Sequence, residues 1–464
     1  MNHSSFGIKG VKLKAIGAGI ICMSLLLTGL IGCGSLKDGS DTDVDPEGAF
    51  TASTDEGSIA INEGDMITIG FAQVGAESDW RLASTDSIEK AFSLEHGYHL
   101  IYEDGQQRQE NQTKAIREFI DQDVDYIILD PIVETGWEAS LEEAREAGIP
   151  VIVVDRRITV EDESLYTAWI GADFKLEGQR ACEWLSQYIL AMGRRYAAEA
   201  AEKNEAEAEN GEEESSWEED GSNEAGAGDV NASNETNDTG DAEAEISADT
   251  LYGFNIDENG GLIPVNEGEE ASILLPFPGI GIVDIQGTLG ASAQIGRSGA
   301  LFEAVEKHPE WTLLAADTGD FVQAKGREVA EAMLLEYGDA INVMYCENDN
   351  MAYGAIEAIR ASGRTPGMDI ANGEIMVISF DATRQGLLYT LDGVIGVDTE
   401  CTPDYGPRLS QMIQTLERGG ELPKETYVTE EQFSSHHDVH FVRVEGSNYK
   451  VTILNDEIMD GRTY

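Results

Sequence analysis

The stretch VDYIILDPIVETGWEASLEEAREAGIPVIVVDRR, residues 124–157, decides the fold. It reads as strand, helix, strand. VDYIILDP (124–131) and PVIVVDR (150–156) are short, nearly continuous apolar runs rich in β-branched residues, the pattern of strands covered on both faces. Between them, residues 137–147 form an amphipathic stretch of helical length. Two parallel strands need a crossover of about this size, so the unit predicts βαβ and a parallel sheet.

The same rhythm runs outward in both directions. Upstream stand MITIGFAQV (66–74) and YHLIYED (98–104), with a helical pattern from Gln109 to Asp121; downstream stands LYTAWIGAD (165–173). It resumes with GIGIVDIQG (279–287), WTLLAADTG (311–319), INVMYCEN (341–348), IMVISFDAT (375–383) and GVIGVDTEC (393–401). The units vary in length and no fixed short repeat recurs, which excludes a solenoid. The predicted fold class is α/β: two doubly wound parallel-sheet lobes, each with helices on both faces.

The 464 residues carry a formal charge of −58. Such a chain repels nucleic-acid phosphates and anionic headgroups, so nucleic acid is excluded as a partner. At 41% hydrophobic residues a sizeable core remains feasible. The charge is uneven. Residues 199–270 hold 24 acids against Lys203, and residues 37–65 hold nine against Lys37. Like charge with few large apolar residues cannot offset ordering entropy, so both segments are expected to be solvated: a tether at 33–65 and an acidic low-complexity insert at 199–270. Within the insert, LYGFNIDENGGLIPV is apolar enough to dock locally.

The chain starts with Lys9, Lys12 and Lys14 before an uncharged apolar run from Ala15 to Ile31, then Leu30-Ile31-Gly32-Cys33. This is the pattern of a secretory signal over residues 1–32, and its last four residues resemble a bacterial lipobox, in which Cys33 would be acylated. The run is short for a spanning helix. The expected location is therefore extracytoplasmic, tied to the cell membrane through a lipid anchor. Loss of Cys22 with the signal leaves Cys182, Cys346 and Cys401, too few for a disulfide framework, and buried structural thiols are the default. Asp41, Asp43 and Asp45 alternate like calcium-loop ligands, but Pro46 takes the position that needs glycine. His436, His437 and His440 lie near the end of the sequence, where surface histidines seldom bind metal. No metal and no cofactor is implied.

In open parallel sheets ligands gather beyond the carboxyl ends of the strands. Those ends carry Glu77 and Arg81, Asp130, the Asp155-Arg156 pair, Asp173, Asn348-Asp349, Asp381 and Glu400, with Trp80, Trp137, Phe174 and Phe321 beside them. Carboxylates and guanidinium forks match the paired hydroxyls of a sugar, and aromatic faces cover its C–H patches. Each residue has a plainer reading: Asp349 or Asp381 as a helix N-cap, Trp80 or Trp137 as a hydrophobic staple. Their conjunction points to carbohydrate.

The segments GFAQVGAESDWR (70–81), DGQQRQENQTKAI (104–116), PIVETGWE (131–138), GIPVIVVDRRI (148–158), DIQGTLGASAQIGR (284–297), TGDFVQAKGREV (318–329) and ENDNMAYGAIEAI (347–359) resemble the ribose/galactose class of bacterial periplasmic sugar-binding proteins, its galactofuranose-binding members most of all. The resemblance spans residues 66–195 and 279–432. It implies a type I periplasmic binding protein: a first lobe of residues 66–172 plus 402–432, a second of 173–401 plus 433–464, three hinge strands, and a monosaccharide in furanose form in the cleft. It places Glu77, Ser78, Asp79, Trp80 and Arg81 along the sugar, Asp155 and Arg156 as a clamp, Arg297 as a second sugar-binding arginine and Phe321 as an aromatic cover. Asn348 and Asp381 fall at second-lobe hydrogen-bonding positions. Glu400 stands where ribose binders have Gln and Asp130 where they have Asn, departures that argue against ribose. Phe174 stands where a polar Asn is usual. Trp137 and Asp173 complete the expected set. The implied partners are ABC permease membrane subunits, and the implied state is a monomer. Residues 436–464 and the acidic insert have no counterpart in the resemblance.

Three other functions fit parts of this pattern. A sugar-responsive repressor shares the lobes, but a signal and an acidic tether stand here where its DNA-binding module would. A glycoside-acting enzyme would pair cleft carboxylates as acid and base, although no GxSxG, Walker A or HExxH motif accompanies them. A subunit presenting sugar to a membrane receptor would have the same site.

Overall fold

The computed structural model describes residues 66–215, 254–256, 262–264, 279–462 and 464. The signal, Cys33, the tether and most of the acidic insert lie outside the described residues.

The first sheet is built from β1 (Ile67–Gln73), β2 (Tyr98–Asp104), β3 (Tyr126–Leu129), β4 (Val151–Val154) and β5 (Ala168–Gly171). Helices α1 (Asp79–Ala91), α2 (Gln109–Asp121) and α3 (Glu138–Ala147) cross between its first four strands. The long α4 (Phe174–Ser215) follows, then two short strands, β6 (Phe254–Ile256) and β7 (Leu262–Pro264), paired antiparallel. The second sheet begins with β8 (Ile280–Gln286), α5 (Ser292–Lys307), β9 (Trp311–Thr318), α6 (Gln323–Tyr337), β10 (Val343–Cys346), α7 (Asp349–Ala361), β11 (Met376–Asp381), α8 (Arg384–Leu391) and β12 (Ile395–Glu400). The chain then returns through α9 (Gly406–Glu417), β13 (Glu425–Tyr427), β14 (Gln432–Ser434), β15 (Phe441–Val444), β16 (Ser447–Lys450), β17 (Thr452–Ile453) and α10 (Asp456–Gly461).

The two sheets share one five-strand core topology and differ at the edge strands added to it. The first runs β13-β5-β4-β3-β1-β2 with every pair parallel; the second runs β17-β14-β12-β11-β10-β8-β9, antiparallel only at β12–β14. In each, the first strand of the lobe lies inside the second and the order reverses beside it. Those reversals, β1 against β3 and β8 against β10, are the topological switch points where an open α/β sheet leaves a crevice at its carboxyl edge. β3 and β4 are buried along their whole length, as the apolar runs predict. Chain crossings follow β5, follow β12, and fall between β13, paired with β5, and β14, paired with β12.

One expectation fails. The first part of the acidic segment is helix, since α4 continues past Arg195 to Ser215. Its Ala/Glu/Lys composition explains why: these are strong helix formers, and their propensity outweighs the like charge that suggests a solvated loop.

Candidate functional site

A narrow cavity lies between the carboxyl edges of the two sheets. Ten of the fifteen residues singled out from sequence line it: Glu77, Ser78, Trp80, Arg81, Asp155, Arg156, Arg297, Phe321, Asn348 and Asp381. Phe174, Ala293 and Cys401 complete the wall.

The first-lobe wall grows from the β1–α1 turn. Ser78 N-caps α1, its hydroxyl accepting from the Arg81 N–H at 3.1 Å. That cap sends Arg81 back under the cavity floor. There its guanidinium donates to Asp130, to Asp155 (3.0 Å) and to Glu77 (3.1 and 3.3 Å). Burial alone would lower the Arg81 pKa; the three carboxylates more than reverse this and hold it above its ordinary value. Arg156 donates to Glu77 Oε1 and to the Ile132 carbonyl (3.3 Å), with its guanidinium 4.9 Å from the Phe321 ring centre. Asp155 and Arg156, expected as a clamp on sugar hydroxyls, each have a protein partner from the β1–α1 segment. Asp155 belongs to Arg81, and Arg156 belongs to Glu77.

The second-lobe wall is organised by Arg297 on α5. Its guanidinium donates to Glu177 (2.7 Å) and the Glu347 carbonyl (2.5 Å), stands 3.7 Å from Asp381, and lies over Phe380 and Phe174. Asn348 N-caps α7 by accepting from the Met351 N–H, and its amide donates to the Phe321 carbonyl at 3.2 Å. Phe321 can cover the cavity because position 287 is glycine: a Cβ there would come within 1.9 Å of the ring. Trp80 reaches across to donate its indole N–H to the Cys401 carbonyl.

Three lining residues hold left-handed backbone: Asp155 (φ 60°), Phe321 (φ 62°) and Asp381 (φ 104°). Such strain persists only where surrounding contacts over-determine it, and it clusters at ligand sites. For Asp155 those contacts are its own N–H to Ile170 and its carbonyl from the Trp169 indole. Burial pushes the carboxyls of Asp130, Asp381 and Glu177 up, and the neighbouring arginines only partly counter it. Glu77 Oε2 and Arg156 Nε are buried without a protein partner. Both belong to lining residues, and buried polar atoms in native proteins are almost always paired.

Five expected residues are placed elsewhere. Asp130 is fully buried behind Arg81, which it orients. Asp79 lines a separate recess at the cleft rim, where its N–H donates to Asn350 Oδ1 at 3.0 Å and its carboxylate accepts from the Asn350 amide at 3.4 Å. Trp137 sits in the first-lobe core with its indole donating to the Val133 carbonyl, because the α3 entry turn directs the ring beneath the sheet edge. Asp173 accepts from the Leu176 N–H at the start of α4, a capping role. Glu400 is taken up by Arg462, Tyr464 and the Glu431 N–H. Asp349, whose N-cap reading was open, is a buried acceptor for Ser379 and Thr383.

Among the described residues one group has metal-ligand spacing, Glu177, Cys401 and Glu430, with ligand atoms within 4.8 Å of one another. Arg297 already occupies one Glu177 oxygen, and burial pushes all three groups' pKa up, which favours protons over a cation. His436 lies beside Arg195 and Asp438 rather than joining His437 and His440 in a metal set.

The periplasmic binding protein domain matches residues 69–209 and 268–402, around both lobes and the cavity. The chain belongs to this family. The galactofuranose-binding protein YtfQ of Escherichia coli is 30% identical over 365 residues, covering 78% of this chain and 86% of that protein. A Mycobacterium smegmatis structure in complex with β-D-fucofuranose is 32% identical, with a TM-score of 0.57 over 79% of this chain and 91% of that one. The binding component of the arabinose ABC transporter from Shewanella sp. ANA-3, bound to α- and β-L-arabinofuranose, is 28% identical, with a TM-score of 0.56 over 79% and 91%. The cavity lies between the two sheets that the family match covers. Of the three lining residues outside the expected set, Phe174 is among the aromatics that stand beside the strand ends in the sequence. Nothing in it marks Ala293 or Cys401, which contribute through position alone.

Proposed function

We propose that this protein is an extracytoplasmic substrate-binding lipoprotein that captures a monosaccharide, in furanose form, and delivers it to an ABC sugar permease. The observation that carries the reading is the cavity wall: three buried guanidinium groups interleaved with carboxylates, aromatic faces from Trp80, Phe174 and Phe321, and two unpartnered polar atoms, Glu77 Oε2 and Arg156 Nε. Such a wall offers paired donors and acceptors to adjacent hydroxyls and apolar cover to C–H patches. The furanose-binding relatives support the ring form. The lipobox-like Leu30-Ile31-Gly32-Cys33 supports an anchor at Cys33. On this reading the first lobe is 66–172 plus 402–432, the second 173–401 plus 433–464, and the protein works as a monomer without chemistry. Sugar touches both lobes, so it binds the closed state better than the open one and shifts the population accordingly.

A thermal-shift panel of free sugars and methyl furanosides tests this. A ligand at 100 times its Kd should add about 2.7 kcal/mol of stability. The reading fails if no monosaccharide stabilises the protein.

A further inference from the structure

Residues 436–464 lie beyond the family-matched segment and outside the cavity, yet they end on it indirectly. The segment packs β15 against α4 and α10 against α8, with Asn455 capping α10 through the Ile458 N–H. Arg384 on α8 then holds its end by donating to the carbonyls of Met459 (2.7 Å) and Arg462 (3.2 Å).

From that anchored position the Arg462 guanidinium reaches Glu400, the last residue of β12. Its Nη2 donates to Glu400 Oε1 at 2.7 Å and to the Ala382 carbonyl at 3.4 Å, and the group lies 5.0 Å from the Phe433 ring centre. The Tyr464 hydroxyl donates to the same Glu400 oxygen at 2.7 Å. The other Glu400 oxygen accepts from the Glu431 N–H at 2.9 Å. One carboxylate thus joins two lobe-crossing segments, the one leaving β12 and the one entering β14. Ala382 follows Asp381 in the strained turn that presents Asp381 to the cavity, with φ of 52° and 104° at the two residues. The arginine grips the hinge and this turn together.

We infer that Arg462 and Tyr464 are positioning residues for the cavity: they fix Glu400 at the hinge and hold the Asp381–Ala382 turn in its left-handed conformation. Neither lines the cavity. Their effect on ligand passes through the set of Asp381 and through the hinge geometry. This inference rests on the proposed sugar-binding function, so its test has one arm that needs no sugar.

The first arm is amide hydrogen exchange on the full sugar-free chain. Arg462→Ala should speed exchange at Ala382, Cys401 and Glu431 tenfold or more, while core amides of β10 keep their rates. The second arm is calorimetric titration with the monosaccharide that most stabilises the unaltered protein. Arg462→Ala should weaken binding about tenfold, and Arg462→Lys, which keeps a donor to Glu400, should recover affinity to within about threefold. Unchanged exchange at the three amides overturns the proposal. Faster exchange with affinity unchanged also overturns it, because the segment would then be a structural cap only. If the unaltered protein binds no sugar, the proposed function fails on its own account, and the exchange arm alone decides whether the clamp exists.

Discussion

Replacing Arg156 is the sharpest test of the cavity. The side chain is 2% exposed and makes three kinds of contact: Nη2 to Glu77, Nη1 to the Ile132 carbonyl, and its face over Phe321, leaving Nε for a ligand. Removing one partner of a buried, hydrogen-bonded charge pair costs roughly 2–5 kcal/mol. Here the low end applies, because Glu77 Oε1 keeps two further bonds from Arg81 and is not left without a counter-charge. Arg156→Ala should therefore lose about 2–3 kcal/mol of sugar affinity, roughly 30- to 150-fold in Kd. Lysine can keep the Glu77 contact. It cannot also reach Ile132 and donate from the Nε position, since an ammonium is a point donor where the guanidinium is a planar fork. Arg156→Lys should still lose about tenfold. Titration calorimetry on both variants reads this directly, and a lysine variant within about threefold of the parent would refute the fork argument. Arg81 gives the contrast. It neutralises Glu77, Asp130 and Asp155 together, so Arg81→Met should cost about 3–5 kcal/mol of folding stability, seen as an early urea midpoint before any sugar is added.

Asn350→Asp sets a second carboxylate against Asp79 across the cleft rim and should favour the open form, weakening sugar binding several-fold and enlarging the radius of gyration by X-ray scattering; an unchanged radius would count against the contact's role in closure. Asp284, buried in β8, has its pKa pushed up by burial to about 7. Its folded pKa lies above its unfolded one, so its contribution to stability is full only below the ordinary carboxyl pKa of 3.8 and falls by up to about 1.4 kcal/mol per unit as pH rises toward 7. Asp284→Asn should flatten part of that slope in urea midpoints taken between pH 4 and 8, and an identical slope would show that Asp284 does not carry it. Replacing residues 216–253 by a short Gly/Ser linker should leave sugar affinity within about threefold, checked by titration; a tenfold loss would make that segment part of the cleft or hinge.

The sheet lobes were readable from the sequence because both faces of each central strand are covered. VIVV at 151–154 and VMYC at 343–346 have no polar position to misread, and the helices between them carry an apolar stripe. The edges were not readable. β13, β14 and β17 have two or three residues each, too few to show a period; β13 and β14 form on the open edges of β5 and β12, and β17 then adds to β14. At the site, strand-end position found the cavity, but partner choice lay beyond it. Arg156 and Glu77 are 79 residues apart, and only the folded β1–α1 turn shows that Glu77, not the adjacent Asp155, receives Arg156. Trp137 has the composition of a stacking platform, and only the path of its turn puts the ring in the core.

The balance of terms at the cleft explains why such a site can respond to ligand. Closure is favoured by lobe-to-lobe hydrogen bonds made by the protein alone: Asp79 with Asn350, the Glu134 N–H to the Gly290 carbonyl, and the Arg157 N–H to Ser292. It is opposed by dehydration of Glu77 Oε2 and Arg156 Nε without protein partners, at about 1–3 kcal/mol for each unsatisfied group. A few neutral or charge-assisted hydrogen bonds are of the same size as that penalty, so on the proposed function the open and closed states lie close in free energy. On the proposed function, a sugar hydroxyl seated at those two atoms removes the opposing term while leaving the favourable contacts intact. The ligand needs to supply only that difference, and it supplies it only when both lobes are in place. The strained turns at Asp155 and Asp381 are held by rigid strands to the same effect. A polar group that could relax toward solvent would lower its own penalty in the closed state, and sugar would then have less to relieve.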